Sequence, residues 1–304
     1  MKAETGFTKI GGENIVIEKT IRVAKSNNVE TLYIDAINRF KIVQDVTSKL
    51  IVEFQSTNLE KDEQVLLNQQ GFEFISEHIA DMQTINDDFL SLNKLCVEAS
   101  KDIIKRIPEL KILLETLINN KAGYVFTHSI MISFVCRHIV KHVSWGGHGH
   151  GEKLAFIAFY HDLFLVPLYK KYPEVSSDEE LLALSRLTAV ERETVLQHAK
   201  LVGDLIGKFP RTHIGSDVIT RQHHGSQFGI GFARDYKEDL SPLAKVFLIA
   251  EMYVNEILKA LNFPKINRIN LSSFDKETII KTISAKYTKP SYRKIIEVLD
   301  KVPF

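Results

Sequence analysis

Histidines and acidic residues recur along the second half of this chain in a pattern that restricts how it can fold. His128, the pair His161-Asp162, His198, the pair His223-His224 and then Glu251 lie on five separate segments. Imidazoles and carboxylates bind first-row transition ions without redox-sensitive thiols. Seven such groups exceed what one tetrahedral ion takes and suit two ions that share a ligand. A fold that uses them together has to gather five segments at one point. Two-metal sites of this kind mostly act on phosphate esters.

The remaining composition narrows the class. At 304 residues, 44% hydrophobic and 25% charged, the chain has the make-up of a globular protein with a full core, and its length suits about two domains. Lys+Arg (39) and Asp+Glu (38) nearly cancel, so no general field would hold DNA, RNA or an anionic membrane. Two cysteines, Cys96 and Cys136, exclude a disulfide framework and suit a reducing compartment. The start MKAETGFTKIGG has no apolar signal core, and no apolar run approaches the ~20 residues of a membrane span. The expected location is cytoplasmic.

The chain changes character near residues 85 to 100. Before that, Asn14-Ile15-Val16-Ile17, Thr31-Leu32-Tyr33-Ile34 and Phe40-Lys41-Ile42-Val43 read as strands, punctuated by Gly11-Gly12 and Asn27-Asn28. Residues 58 to 70 read as a short helix capped by Gly71, with Phe72-Glu73-Phe74-Ile75 as another strand. These patterns predict a small α+β domain over residues 1–86, regulatory or interaction-directed. A helical period follows over 87–119, as a linker that Pro108 interrupts, and a helical domain over 120–304. The expected fold is therefore mainly α, a helical bundle preceded by a small α+β domain.

Each candidate ligand sits on a helical segment or at its edge. His128 lies among Val125, Ile132 and Val135, as on a buried helix. Leu154 to Tyr160 is an apolar helix that delivers His161 and Asp162 at its end, just before Pro167. His198 is flanked by Val195, Leu196, Val202 and Leu205 on an amphipathic helix. Val218 and Ile219 lead into His223-His224, after which Gly225, Gly229 and Gly231 break the helix, and Glu251 follows the apolar run Val246 to Ala250. Adjacent helical residues point about 100° apart, so a neighbouring pair serves two ions better than one. That distinguishes the pattern from HEXXH, where ligands four apart share a face.

The blocks HDLFLVP, QHAKLVGDLIG and QHHGSQFGIGF, in this order and spacing, resemble the HD-GYP branch of the HD phosphohydrolases over roughly residues 120 to 304. HD, then His198 to Gly203, then HH and a G-x-G turn carry the likeness. The family's GYP turn corresponds to Gly229-Ile230-Gly231-Phe232-Ala233, without the tyrosine and proline. LYIDAINRFKIV in the N-terminal part resembles the small domain that often precedes HD-GYP domains. The resemblance implies metal ligands at His128, His161, Asp162, His198, His223 and His224, with Glu251 in the place of an aspartate. His161, His128 and Glu251 would lean towards one ion and His198, His223 and His224 towards the other, with Asp162 bridging. A metal-bridging hydroxide beside Asp162 would be the nucleophile. The cofactors implied are two divalent transition ions, iron first, with manganese or zinc as alternatives that the ligand types do not distinguish.

Several positions depart from the family pattern. Tyr124 replaces a glutamate that in some relatives helps bind a third metal, which leaves two ions. Leu165 replaces the lysine after HD, Gly225 the glutamate after HH, and Lys259-Ala260-Leu261-Asn262 the substrate-binding RPY segment. The implied function is a two-metal phosphodiesterase for cyclic-di-GMP or a related nucleotide, with weak or lost activity. The alternative is a metal-containing module that senses a nucleotide or docks a signalling protein without turnover, and a di-iron oxygenase ranks last. Among the other histidines, His148 and His150 in GGHGHGEK read as a solvated glycine loop. His138 and His142 read as a polar helix surface beside Arg137 and Lys141. Lys276, Lys281, Lys286, Lys289, Arg293 and Lys294 read as a solvated face, with a phosphate contact from one of them as the alternative.

Overall fold

A computed structural model describes residues 26, 36–56, 59–79, 86–209, 212–233, 240–265 and 275–304. The chain divides into two compact units, residues 1–45 and 46–304. Apart from residues 36–45, the helices described below belong to the second. Helix α1 (Ala36–Phe54) is followed by α2 (Lys61–His78), α3 (Asp87–Arg106) and α4 (Leu110–Asn119). The helices after them are α5 (Tyr124–His142), α6 (His148–Tyr160), α7 (Val166–Lys171), α8 (Asp178–Ala183), α9 (Ala189–Ile206) and α10 (Ser216–Arg221). The chain ends with α11 (Pro242–Ala260), α12 (Lys276–Lys286) and α13 (Pro290–Ile296). There is no strand among the described residues, and no helix among them is long and apolar enough to cross a membrane.

The expected helical region from residue 87 onward is helical as the period predicts. α3 starts at Asn86, whose side chain accepts from Phe89 N at 2.8 Å, and Pro108 falls in the break between α3 and α4. The strands expected nearer the N-terminus are a different matter. Phe40–Val43 lies inside α1 and Phe72–Ile75 inside α2, while 14–17 and 31–34 lie outside the described residues. In α2 the buried positions Val65, Leu67, Phe72 and Ile75 form a helix face that packs on α3. That tertiary burial outweighs the strand preference of a four-residue aromatic run. Gly71, expected as a cap, is a close-approach position in mid-helix. A Cβ there would stand 2.5 Å from Cys96 Sγ on α3 and 3.2 Å from the Phe54 ring.

The centre of the unit is α5, whose residues from Tyr124 to Cys136 are all buried, packed mainly against α6 and α11. A helix apolar on every side is a core helix. α11 is its counterpart, capped by Ser241 accepting from Ala244 N at 3.2 Å, with Pro242 at its start. The GGHGHG stretch is not the loop its glycines suggested: Gly147 caps α6 and the helix begins at His148. Leu154, Ile157 and Ala158, all fully buried, anchor the rest of α6 against α5, and the glycine turn winds up on that support. His138 and His142 lie on α5 near its end. His142 Nδ1 donates to the His138 carbonyl at 2.8 Å.

Two stability predictions follow from these packings. In an exposed helix alanine exceeds glycine by about 1 kcal/mol, but overpacking a core costs ~1–3 kcal/mol. Gly71→Ala is expected to destabilise the protein in urea denaturation, whereas in a Cys96→Ala background the same change is expected to stabilise it. His138, half-buried, is pushed down from 6.5 to about 4 by burial and by Lys141, His142 and Arg137. Between those values the unfolded chain binds the proton and the folded chain does not, so stability is lost as pH falls from about 6.5 to 4. His138→Gln is expected to lose less stability than wild type over that interval, measured as paired urea midpoints.

Candidate metal centre

Helix ends deliver most of the candidate ligands. α6 stops at Tyr160, where His161 caps it, and Asp162 opens the 3-10 turn Leu163–Leu165 through Leu165 N donating to Asp162 O at 2.8 Å. Pro167 in the first turn of α7 suits this corner, since its ring cannot continue a ladder from the preceding helix. α10 ends at Arg221, and the turn after it carries His223 and His224. His128, His198 and Glu251 project from the bodies of α5, α9 and α11. Glycines bring α9 and α10 close: a Cβ at Gly203 would lie 2.7 Å from Arg221 Cγ and 3.0 Å from Asp217 O. Gly229, with φ +75°, leaves 2.8 Å between a notional Cβ and Lys200 N, so the turn after His224 requires glycine there.

The side chains converge in two groups. Ligand atoms of Asp162, His198, His223 and His224 all lie within 4.8 Å of one another, as do those of His128, His161 and Glu251. Asp162 stands between the groups. Its Oδ2 is 3.0 Å from His161 Nε2 and 3.4 Å from His128 Nδ1. Its Oδ1 is 3.4 Å from His198 Nε2 and 3.8 Å from His223 Nε2. In the second group His198 Nε2 is 3.1 Å from His223 Nε2 and 3.0 Å from His224 Nε2.

Ring protonation follows from the opposite nitrogens. His161 Nδ1 donates to Ala158 O at 2.9 Å, His198 Nδ1 to Val195 O at 2.6 Å and His223 Nδ1 to Thr220 O at 2.6 Å. A carbonyl only accepts, so the proton of each neutral ring lies on Nδ1 and Nε2 presents a lone pair. His128 is turned the other way, with Nε2 2.7 Å from Asn255 Oδ1 and Nδ1 towards Asp162. The inward atoms His128 Nδ1, His161 Nε2, Asp162 Oδ1 and Glu251 Oε2 are buried without a hydrogen-bond partner. Buried acceptors facing one another at about 3 Å repel unless a cation lies between them. Two nitrogens bound at right angles to one ion at ~2.1 Å are themselves about 3 Å apart. The donor set and its spacing fit transition-metal ions.

The electrostatics are those of a buried, acceptor-rich cluster. Burial alone would raise the Asp162 carboxyl, but the imidazoles of His161, His128 and His198 hold it well below the usual range. Burial pushes His223 and His224 well below the ordinary histidine value, and neighbouring rings push the same way. Burial and then Asp162 push Glu251 well up, and Asp178 is raised by burial and Asp162. Crowded acids of this kind gain from a shared positive charge.

All seven sequence-derived ligand candidates thus meet at one place. Tyr124 is buried with its ring stacked on His128 at 5.4 Å, Leu165 is fully buried in the apolar core, and Gly225 takes a positive φ of 76°. Asp178, Tyr169 and Asn255 were missed. Asn255 lies one helical turn beyond Glu251, a spacing that could have marked it. Asp178 sits in the acid-rich start SSDEELL, which looks like any solvated helix N-terminus. A cavity of about 780 Å³ opens beside the cluster, lined by Asp178, His224, Glu251, Phe232, Lys286 and Lys289 among others. No family model, curated protein or solved structure matches the chain.

Metal content across alanine variants tests the grouping. Asp162→Ala is expected to lose both ions, because each group loses an oxygen at once. His128→Ala and His223→Ala are each expected to weaken one ion and spare the other. Elemental analysis of protein purified without chelators gives the stoichiometry. Retention of both ions by Asp162→Ala, with loss in His198→Ala, would show that the carboxylate does not join the groups.

Proposed function

We propose that the chain is a divergent HD-GYP-like two-metal phosphodiesterase that acts slowly on cyclic-di-GMP or a related nucleotide. The observation that carries this is the Asp162 carboxylate, which turns one oxygen to each ligand group beside an open cavity. His128, His161 and Glu251 would hold one divalent ion and His198, His223 and His224 the other, with iron ahead of manganese or zinc. When bound, such a pair supplies an activated hydroxide and stabilises charge on phosphate oxygens.

The rest of the chemistry belongs to the chain's own residues. Lys286 and Lys289 line the cavity, and Lys286 is near enough for its charge to act on Glu251. They are the cations placed to meet a phosphate, in a chain whose Leu165 is buried in the core. Phe232, 4.4 Å from the His224 ring, and Tyr287 offer aromatic walls on which a base can stack. Lys259 and Ala260 do not line the cavity, so neither substitutes for a substrate-gripping arginine there. Substrate orientation by two lysines on the rim is looser than by a bidentate arginine, which supports slow turnover. The same loss of orienting groups supports the second reading, a metal-bearing module that binds a nucleotide or a signalling partner without turning it over.

A single-turnover assay with metal-loaded protein in excess over cyclic-di-GMP separates these readings, following the linear dinucleotide and GMP. Slow hydrolysis is expected, on the order of 10²–10³ below an enzyme with a positioned cation at Leu165. Lys286→Ala and Lys289→Ala are expected to weaken substrate binding about tenfold or less each. Tight binding with no product would favour the sensing module. Neither binding nor hydrolysis of this or a simpler phosphodiester would end the phosphodiesterase proposal.

A further inference from the structure

Asp178 sits at the inner edge of the cavity, only 7% exposed, with a carboxylate that the seven-ligand set does not use. Tyr169 Oη donates to its Oδ1 at 2.5 Å, which leaves Oδ2 pointing the other way. That second oxygen is 3.1 Å from His224 Nε2 and 3.7 Å from His198 Nε2, and these two nitrogens are 3.0 Å apart. His198 Nε2 presents a lone pair, because its Nδ1 proton goes to Val195 O. Three donor atoms thus form one triangular face, with edges close to those of ligands sharing an ion at ~2.1 Å. A polar hydroxyl fixing the far oxygen is the usual support for a ligating carboxylate.

We propose that Asp178 is a further ligand of the ion held by His198 and His224, oriented by Tyr169. This rests on the two-ion centre proposed above and extends it to a residue outside the family-like ligand set. With Asp162 and Glu251 it makes three carboxylates around the pair, so less positive charge is left over to pull on a phosphate. The chemical class of ligand is a divalent transition cation, and the consequence is tighter metal binding at the expense of Lewis acidity.

The test uses the full chain, stripped with chelator and titrated with Co²⁺, whose visible bands report ligand number. Wild type is expected to take up two ions. Asp178→Asn is expected to bind one as wild type does and the other about 10- to 100-fold more weakly, with a changed visible band. Tyr169→Phe keeps the carboxylate, so a smaller loss of affinity with the wild-type band shape is expected. Asp178→Glu, which retains the charge but displaces the oxygen, is expected to keep both ions with a shifted band, and serves if Asp178→Asn does not fold. Unchanged affinity and bands in Asp178→Asn or Asp178→Glu, with two ions in wild type, overturn the Asp178 assignment and leave the two-ion centre standing. Wild-type protein that takes up no ion overturns both.

Discussion

The hydrogen bond from an imidazole Nδ1 to a main-chain carbonyl three residues earlier is the contact on which the rest of this centre depends. It occurs at His161, His198 and His223. Each time it settles which nitrogen carries the proton and aims the other inward. At His161 the accepting carbonyl belongs to the last turn of α6, where a helix leaves carbonyls without intrahelical partners. One bond therefore completes a helix end and orients a ligand. A histidine in mid-helix pointing outward would do neither.

What surrounds the centre is a core with little room to yield. α5 is buried along most of its length, and His128 extends from it to Asn255 on α11, four residues beyond Glu251. Ligands on such helices hold their positions because neighbouring side chains are packed at crystal-like density. The flexible-looking GIGF turn is held too, with Lys200 N donating to Gly229 O at 3.0 Å and Gly231 N to Leu196 O at 2.7 Å. The turn is a strap across α9.

Much of this was legible in the sequence, for identifiable reasons. Ligands at the ends of strongly periodic apolar helices, such as His161 after Leu154–Tyr160, are located by the period itself. The angle between adjacent helical residues was a poorer guide: it would have parted His223 from His224, which lie in one group because both sit in the turn after α10 and not on a helix. The short apolar runs near the N-terminus were less informative. Phe72–Ile75 satisfies strand and buried-helix patterns equally, and packing on α3 decided between them. Asp178 was hidden for a different reason. Its neighbours are exposed acids, and burial of one among them depends on Tyr169 and on how α8 meets α9, which no local pattern encodes.

The spread of the ligands along the chain has a consequence for folding. Roughly 120 residues lie between His128 and Glu251, and the ligands between them come from every major helix of that span. Ions held by the two groups would act as staples across a very long loop, and their binding energy would count directly as folding energy. Such a site cannot form piecemeal, because contacts so distant in sequence close late. Bound metal would then be the final clasp of an assembled bundle.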